Sequence, residues 1–236
     1  AEYRQETKNS LTVIDSSITT GHYSDRLNKS DKDTRSHFFS TTDIDLNFEN
    51  FIASSLEINF EKISNDTYLK SFDFIQGSIF TKGKGSATSK IELDLAHKDY
   101  DFGSSVIMYE SMGGFNSDRY TYVLPNYDFS SNFYLTNLNG SFSISSAGNH
   151  TINETNISKS SIQNSLGYTS LEYYTNSGII SDYDFQFTNS NTMSDKSLKY
   201  KNTPQSELLS TYFFDASFPL KKKTKDRQNT LVPKLN

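Results

Sequence analysis

The residue types that could do chemistry are thinly spread along this chain. Its four histidines, His22, His37, His97 and His150, fall in four separate segments. None sits at the short spacing from another ligand that a metal centre uses, so each is read as a surface or wall residue. Asp43/Asp45 and Asp182/Asp184 are paired carboxylates, and general acid–base catalysis often uses two carboxyl groups. Residues i and i+2 of a strand only share a face, however, so the pairs read as stretches of a polar wall. The run "TKGKGS" at 81–86 has glycines but lacks the strand–loop–helix setting that cradles phosphate, and it reads as loop. No nucleophile-elbow, P-loop or zinc-protease pattern occurs. There is no cysteine, which excludes a disulfide framework and a Cys-based zinc site within the chain. The sequons at Asn149, Asn153 and Asn156 are expected by chance in so Asn- and Ser-rich a stretch and mark an exposed loop. These observations point to a protein that is not an enzyme and needs no cofactor or metal.

What remains is a strong pattern of elements. Hydrophobic residues make up only 34% of the 236 residues, yet 14% are aromatic, with 18 Phe, 15 Tyr and no Trp. Aromatic and β-branched residues diluted in small polar ones suit strands. Period-2 alternation dominates. Ile44, Leu46 and Phe48 alternate with Asp43, Asp45, Asn47 and Glu49. Leu56, Ile58 and Phe60 are set against Glu57, Asn59 and Glu61, and Ile91, Leu93 and Leu95 against Glu92 and Asp94. Tyr183, Phe185 and Phe187 oppose Asp182, Asp184 and Gln186; Tyr212, Phe214, Ala216 and Phe218 share a parity. No helical spacing persists over a useful length, so the fold class is all-β.

The pattern places strands at 1–7, 10–20, 34–48, 51–63, 86–96, 100–111, 119–129, 139–147, 163–174, 179–188, 207–219 and 230–236. The connections alternate. Short ones at 8–9, 50, 97–99 and 175–178 separate long ones at 21–33, 64–85, 148–162 and 189–206, with 112–118 and 130–138 between these extremes. The connection near 221–229 breaks the rhythm, and its Lys221-Lys222-Lys223 run reads as solvated loop. Residues 10–20 and 163–174 carry apolar side chains on both parities.

Two architectures accommodate alternating strands. In a soluble sandwich the apolar faces meet in a core. In an outer-membrane barrel the apolar face meets lipid and the polar face lines a wet lumen, with short turns at one end and long loops at the other. Runs of 9–11 residues, the length that spans a bilayer when tilted, and the alternating connections favour an antiparallel transmembrane barrel of about 12 strands here. The net charge of −5 argues against a nucleic-acid partner.

Within "SDRYTYVLPNYDFS" at 117–130, Tyr120, Tyr122 and Leu124 share one parity, whereas Tyr127 and Phe129 occupy the other. A reversal at Pro125 would leave two strands too short to cross a bilayer. The expectation is one strand through 119–129, with a bulge at Pro125 that exchanges the parities.

Several phrases together resemble the barrel domain of the LptD family of lipopolysaccharide-assembly proteins, also called organic solvent tolerance proteins. They are "AEYRQETKNSLTVIDSSIT" at the start, "DTRSHFFSTTDIDLNF" at 33–48, "NDTYLKSFD" at 65–73, "SDRYTYVLPNYDFS", "ASFPL" at 216–220 and "NTLVPKLN" at 229–236. The resemblance implies residence in the bacterial outer membrane and a non-enzymatic role in inserting lipopolysaccharide into the outer leaflet. It implies four partners: lipopolysaccharide, the plug lipoprotein LptE, the periplasmic bridge protein LptA and outer-membrane lipids. It also implies that residues 1–236 are part of one barrel domain. The N-terminal jelly-roll that meets LptA, and the first and last barrel strands that form the lateral gate, would lie outside them.

On that reading Asp43, Asp45, Asn47, Glu49, Glu57, Asn59, Glu61, Glu92, Asp94, Asp182 and Asp184 line the lumen. Ile44, Leu46, Phe48, Leu56, Ile58, Phe60, Ile91, Leu93, Leu95, Tyr183, Phe185, Phe187, Tyr212, Phe214 and Phe218 face lipid. An acidic lumen should not grip anionic headgroups, so this wall is expected to meet the plug or water. The rival from another class is a soluble secreted β-sandwich that binds polysaccharide through exposed aromatics. A third reading, an outer-membrane hydrolase, lacks a nucleophile–base set.

Overall fold

A computed structural model describes residues 1–24, 30–64, 85–112, 119–153, 156–223, 225 and 227–235. The strands are β1 (Glu2–Glu6), β2 (Ser10–Ser24), β3 (Ser30–Asp45), β4 (Ala53–Ile63), β5 (Ser86–Ala96), β6 (Tyr100–Ser111), β7 (Tyr120–Leu135) and β8 (Gly140–Asn153). They continue with β9 (Ile157–Ser170), β10 (Tyr173–Tyr174), β11 (Ile180–Asp195), β12 (Gln205–Ser217), β13 (Leu220–Lys223), β14 (Gln228–Leu231) and β15 (Lys234–Leu235). Twelve of them form one antiparallel path, β1 through β9, then β11, β12 and β15, each strand beside its sequence neighbour. β10 pairs with the start of β11. The sheet is not closed. β1 and β15 are its edges, and β15 covers only Ala216 and Ser217 of β12.

The sequence reading underestimates how far the strands run. The expected long connection at 148–162 is mostly strand, with β8 ending at Asn153 and β9 starting at Ile157. The expected connection at 130–138 shrinks to a 3-10 turn at Thr136–Leu138, and half of 189–206 belongs to β11 and β12. Stretches such as "SSAGNHTIN" show no apolar alternation because Ser, Thr and Asn have no preferred face. A backbone ladder on both sides nevertheless holds them extended. The connection at 21–33 likewise narrows to 25–29, which lies outside the described residues. So do 65–84 and 113–118, and with them "TKGK" and the whole of "NDTYLKSFD".

The reading is overlong at 34–48, since β3 ends at Asp45. Leu46, Asn47, Phe48 and Glu49 therefore belong to the β3–β4 turn, where Asn47 adopts a left-handed φ of 52°. Phe218 falls just past β12. The expected strand at 163–174 starts earlier and breaks after Ser170.

β7 passes without reversal through Pro125. Ser105 pairs with Asn126 and Ile107 with Val123, so Val106 alone faces Leu124 and Pro125. On the other side Asn149 pairs with Asn126 and Thr151 with Val123, so His150 alone faces the same two residues. Two residues opposite one on both flanks is a bulge, placed where proline has no donor to give the ladder.

The connection expected at 221–229 is instead a hairpin. Ala216 pairs with Leu235 and Ser217 with Lys234, then Leu220 with Leu231 and so on to Lys223 with Gln228. The register is the same before and after the gap, where Phe218 N–H donates to Pro233 O at 3.1 Å. Pro219 and Pro233 remove donors from the ladder and divide one long hairpin into two segments.

Candidate functional site

Antiparallel partners point to the same side of a sheet, so the register sorts every side chain onto one of two faces. One face carries Ile44, Leu56, Ile58, Phe60, Ile91, Leu93, Leu95, Phe102, Val106, Met108, Tyr183, Phe185, Phe187, Tyr212 and Phe214. The bulge adds to it: Tyr122 pairs with Ile152 and Tyr127 with Gly148, which are four residues apart on β8. Tyr122 and Tyr127 therefore share this face despite their opposite parities. The Tyr127 ring lies on Gly148, where an added Cβ would come within 2.6 Å of the ring.

No second layer covers this face among the described residues, because packing follows the sheet order. Ile91 is 53% exposed, Tyr212 62% and Leu208 63%. In water such a contiguous apolar surface demands a cover. Along one end of the sheet, where the short turns lie, aromatics form a line. Phe51, His97 and Tyr100 are in ring contact, and Tyr100 reaches Phe129 at 6.0 Å. Farther along, Phe133, Phe142, Tyr168, Phe185 and Tyr212 occupy one cross-strand row on five neighbouring strands. Phe133 stacks on Phe142 at 5.8 Å, and Phe142 meets Tyr168 at 4.7 Å.

The opposite face carries Asp43, Asp45, Glu57, Asn59, Glu61, Glu92, Asp94, Asp182 and Asp184, brought together by the same register. Asp43, Glu57 and Glu92 are directly opposite one another on β3, β4 and β5. Like charges so placed repel. Lys90, one row away, offsets this with its ammonium 2.8 Å from Glu57 and 2.6 Å from Glu92. A second row runs Asp45, Ser55, Asp94, Gly103, Asp128. Gly103 leaves room there for Asp128, since a Cβ would lie 2.6 Å from its Oδ1. Asp184 accepts a hydrogen bond from Thr169 Oγ1 at 2.7 Å, and Asp182 pairs across the ladder with Asp215.

Glu61 is the most enclosed acid. Its carboxylate accepts from Thr88 N–H at 2.8 Å, and its own N–H donates to Ser89 Oγ at 3.1 Å. Asn59 Nδ2 donates to Thr88 O at 3.1 Å. Val13, Phe39 and Ile63 are buried on this side, so the polar face is not uniform. This accounts for the apolar residues on both parities of 10–20: Val13 serves one face and Ile14 the other.

Three histidines are placed by the structure, and they stay apart. His37 stacks on Phe39 at 4.8 Å with Nε2 3.5 Å from Asp15. His97 Nδ1 accepts from Asp99 N–H in the β5–β6 turn, and His150 meets Ser160 Oγ at 2.7 Å. No group of three or more His, Asp or Glu is arranged to hold a metal among the described residues.

A polar group that sequence reasoning missed lies on the apolar face, at the end opposite the short turns. Glu110, 5% exposed at its side chain, receives Lys62 Nζ at 2.8 Å and Arg119 Nη2 at 3.2 Å. Lys62 also donates to Tyr120 OH at 3.0 Å. Glu110 and Tyr120 are cross-strand partners on β6 and β7, and Lys62 reaches both from β4, 48 and 58 residues away in sequence.

The class defined here is an open antiparallel β-meander with an uncovered apolar face and an acidic polar one. No protein-family model matches the sequence, and no curated protein matches it.

Proposed function

We propose that residues 1–236 form part of the wall of an outer-membrane β-barrel, and that this wall belongs to an LptD-like translocon that inserts lipopolysaccharide into the outer leaflet. The observation that carries the barrel reading is the pairing of two faces in one uncovered sheet. Strands of 11 to 16 residues, as β2 to β9, β11 and β12 are, that are apolar on one side and acidic on the other have a natural solvent on each side in lipid and a wet lumen. The aromatic line at the short-turn end matches the girdle that such barrels place at the membrane interface. The longest connection, 64–85, leaves from the other end, so the short-turn end is the periplasmic one on this reading. The lipopolysaccharide role rests on the phrases that resemble the LptD family.

The wall acts by enclosure and involves no covalent chemistry. Its carboxylates keep the lumen hydrated and repel anionic phosphates, so the polar face meets the plug lipoprotein LptE or water. LptA would be met by another domain. The lipid-facing assignment covers Ile44, Leu56, Ile58, Phe60, Ile91, Leu93, Leu95, Tyr183, Phe185, Phe187, Tyr212 and Phe214. Leu46, Phe48 and Phe218 flank the span.

The barrel reading is tested by folding the chain in plain buffer and in detergent. Folding only in detergent or bilayers is expected; a stable monomer in buffer would refute it. Translocon membership is tested by photocrosslinking residues at positions 45 and 59 in cells. Capture of the plug lipoprotein is expected, and capture of lipopolysaccharide without the plug would overturn the assignment of the polar face.

A further inference from the structure

The hairpin built from β13 and β14 extends past the turn end of β12 and carries the densest positive charge in the chain. Five of the 23 lysines and arginines fall within residues 221–227, where Asp226 is the single acid, although the whole chain is at −5. Lys221, Lys223, Lys225 and Arg227 are exposed. The order of side chains along the hairpin is graded. Tyr212 and Phe214 of β12 stand on the apolar face at the aromatic row; Phe218 follows, then the cross-strand pair Leu220 and Leu231, exposed at 45% and 64%. Beyond that pair the cations cluster, preceded on the return strand by Lys234 opposite Ser217. Aromatic rings, then a leucine pair, then cations thus lead outward from the sheet, and aromatics and cations are the groups that settle at the headgroups of an anionic leaflet.

We propose that this hairpin is a docking element for the phosphate groups of anionic phospholipids at the short-turn side of the membrane, with Lys221, Lys223, Lys225 and Arg227 as the contacts. This rests on the barrel reading above. The two prolines serve it physically: by interrupting the ladder at Pro219 and Pro233 they let the tip leave the plane of the sheet and lie against the surface. Leu220 and Leu231 supply apolar insertion beside the charges, the combination that makes interfacial binding both hydrophobic and electrostatic.

The test is partitioning of the full chain from detergent into vesicles of phosphatidylcholine alone, or of phosphatidylcholine and phosphatidylglycerol in equal parts. Protease protection in the zwitterionic vesicles reports insertion. The expected result is insertion into both, with binding to the anionic vesicles at least about tenfold tighter. That preference should vanish in K221Q/K223Q/K225Q/R227Q and fade with added salt, while insertion into phosphatidylcholine persists. A control, K196Q/K199Q/K201Q at the opposite end of the sheet, should keep it. Insertion without anionic preference, or equal loss in the control, overturns the docking role alone. Failure to insert into either vesicle refutes the barrel reading and the docking role with it.

Discussion

Ser10 and Ser206 lie on one cross-strand row although they sit at opposite ends of their strands. Ser10 begins β2 at a short turn; Ser206 is the second residue of β12, near the loop that enters it. The row passes through Ile44, Leu56, Leu93, Ser104, Tyr127, Gly148, Ile162 and Asn191. Nine strand steps thus shift the register by the eleven residues that separate Ser206 from the turn end of β12 at Ser217. At ~3.4 Å per residue and ~4.8 Å between strands, that stagger is a tilt of about 40° when the turn ends are level. Barrels need a tilt of this size to close.

Polarised infrared spectra of the chain in oriented bilayers should therefore give a strand tilt of about 35–45° from the membrane normal. Strands near the normal would separate the stagger from any membrane geometry.

Deleting Leu124 and Pro125 together should damage the sheet far more than deleting Pro125 alone. Loss of Pro125 restores one-to-one pairing, with Leu124 opposite Val106, and leaves Tyr120, Tyr122, Tyr127 and Phe129 on the apolar face; loss of both residues makes the spacing odd and sends Tyr120 and Tyr122 to the acidic face. Unfolding by guanidinium in detergent should show a loss of ~3 kcal/mol or more for the double deletion, against about 1 kcal/mol for the single one. Equal effects would mean that the bulge does not set the faces.

Lys90→Met should expose the repulsion along the Asp43–Glu57–Glu92 row. Lys90, Glu57 and Glu92 keep a quarter to about a third of their side-chain surface in water, which screens the pairing, and the cost is about 1 kcal/mol at low salt. Adding Glu57→Gln to Lys90→Met should recover most of it. No recovery in that double variant would show that Lys90 acts by packing.

Gly148→Val should strip Tyr127 of its seat. The ring cannot stay where the new side chain stands, and the expected loss is ~1–3 kcal/mol. Tyr127→Ala in the same background should reduce the penalty of the valine, as read from the same unfolding curves.

Tyr200, in the connection after β11, titrates early. The Lys159 ammonium, 4.0 Å from the ring centre, hydrogen-bonds and attracts the phenolate and holds its pKa below the usual tyrosine range, with Lys199 adding to the effect. The difference spectrum between the protein and Tyr200→Phe should show an ionisation below that of the other tyrosines. It should move up toward the ordinary value in Lys159→Met, since removing the cation removes the preference for the charged form.

Much of the sheet could be read from residue order alone where apolar and acidic residues alternate densely. Residues 43–45, 56–61, 91–95 and 182–187 are such places, because in an extended chain parity assigns the face. That sufficed to separate the acids from Ile44, Leu56, Ile58, Phe60, Ile91, Leu93 and Leu95. It failed at 148–162 and 189–195, where Ser, Thr and Asn bear no mark of a face and only hydrogen bonds from neighbouring strands impose the extended state. It failed also at 221–229, where a basic, turn-like composition hides a ladder in register with β12. Parity is a local property, so alternation by itself determined the two-faced strands. Register couples residues a dozen or more positions apart. The tertiary structure alone therefore decided that Glu110 meets Lys62 and that Ser10 lines up with Ser206.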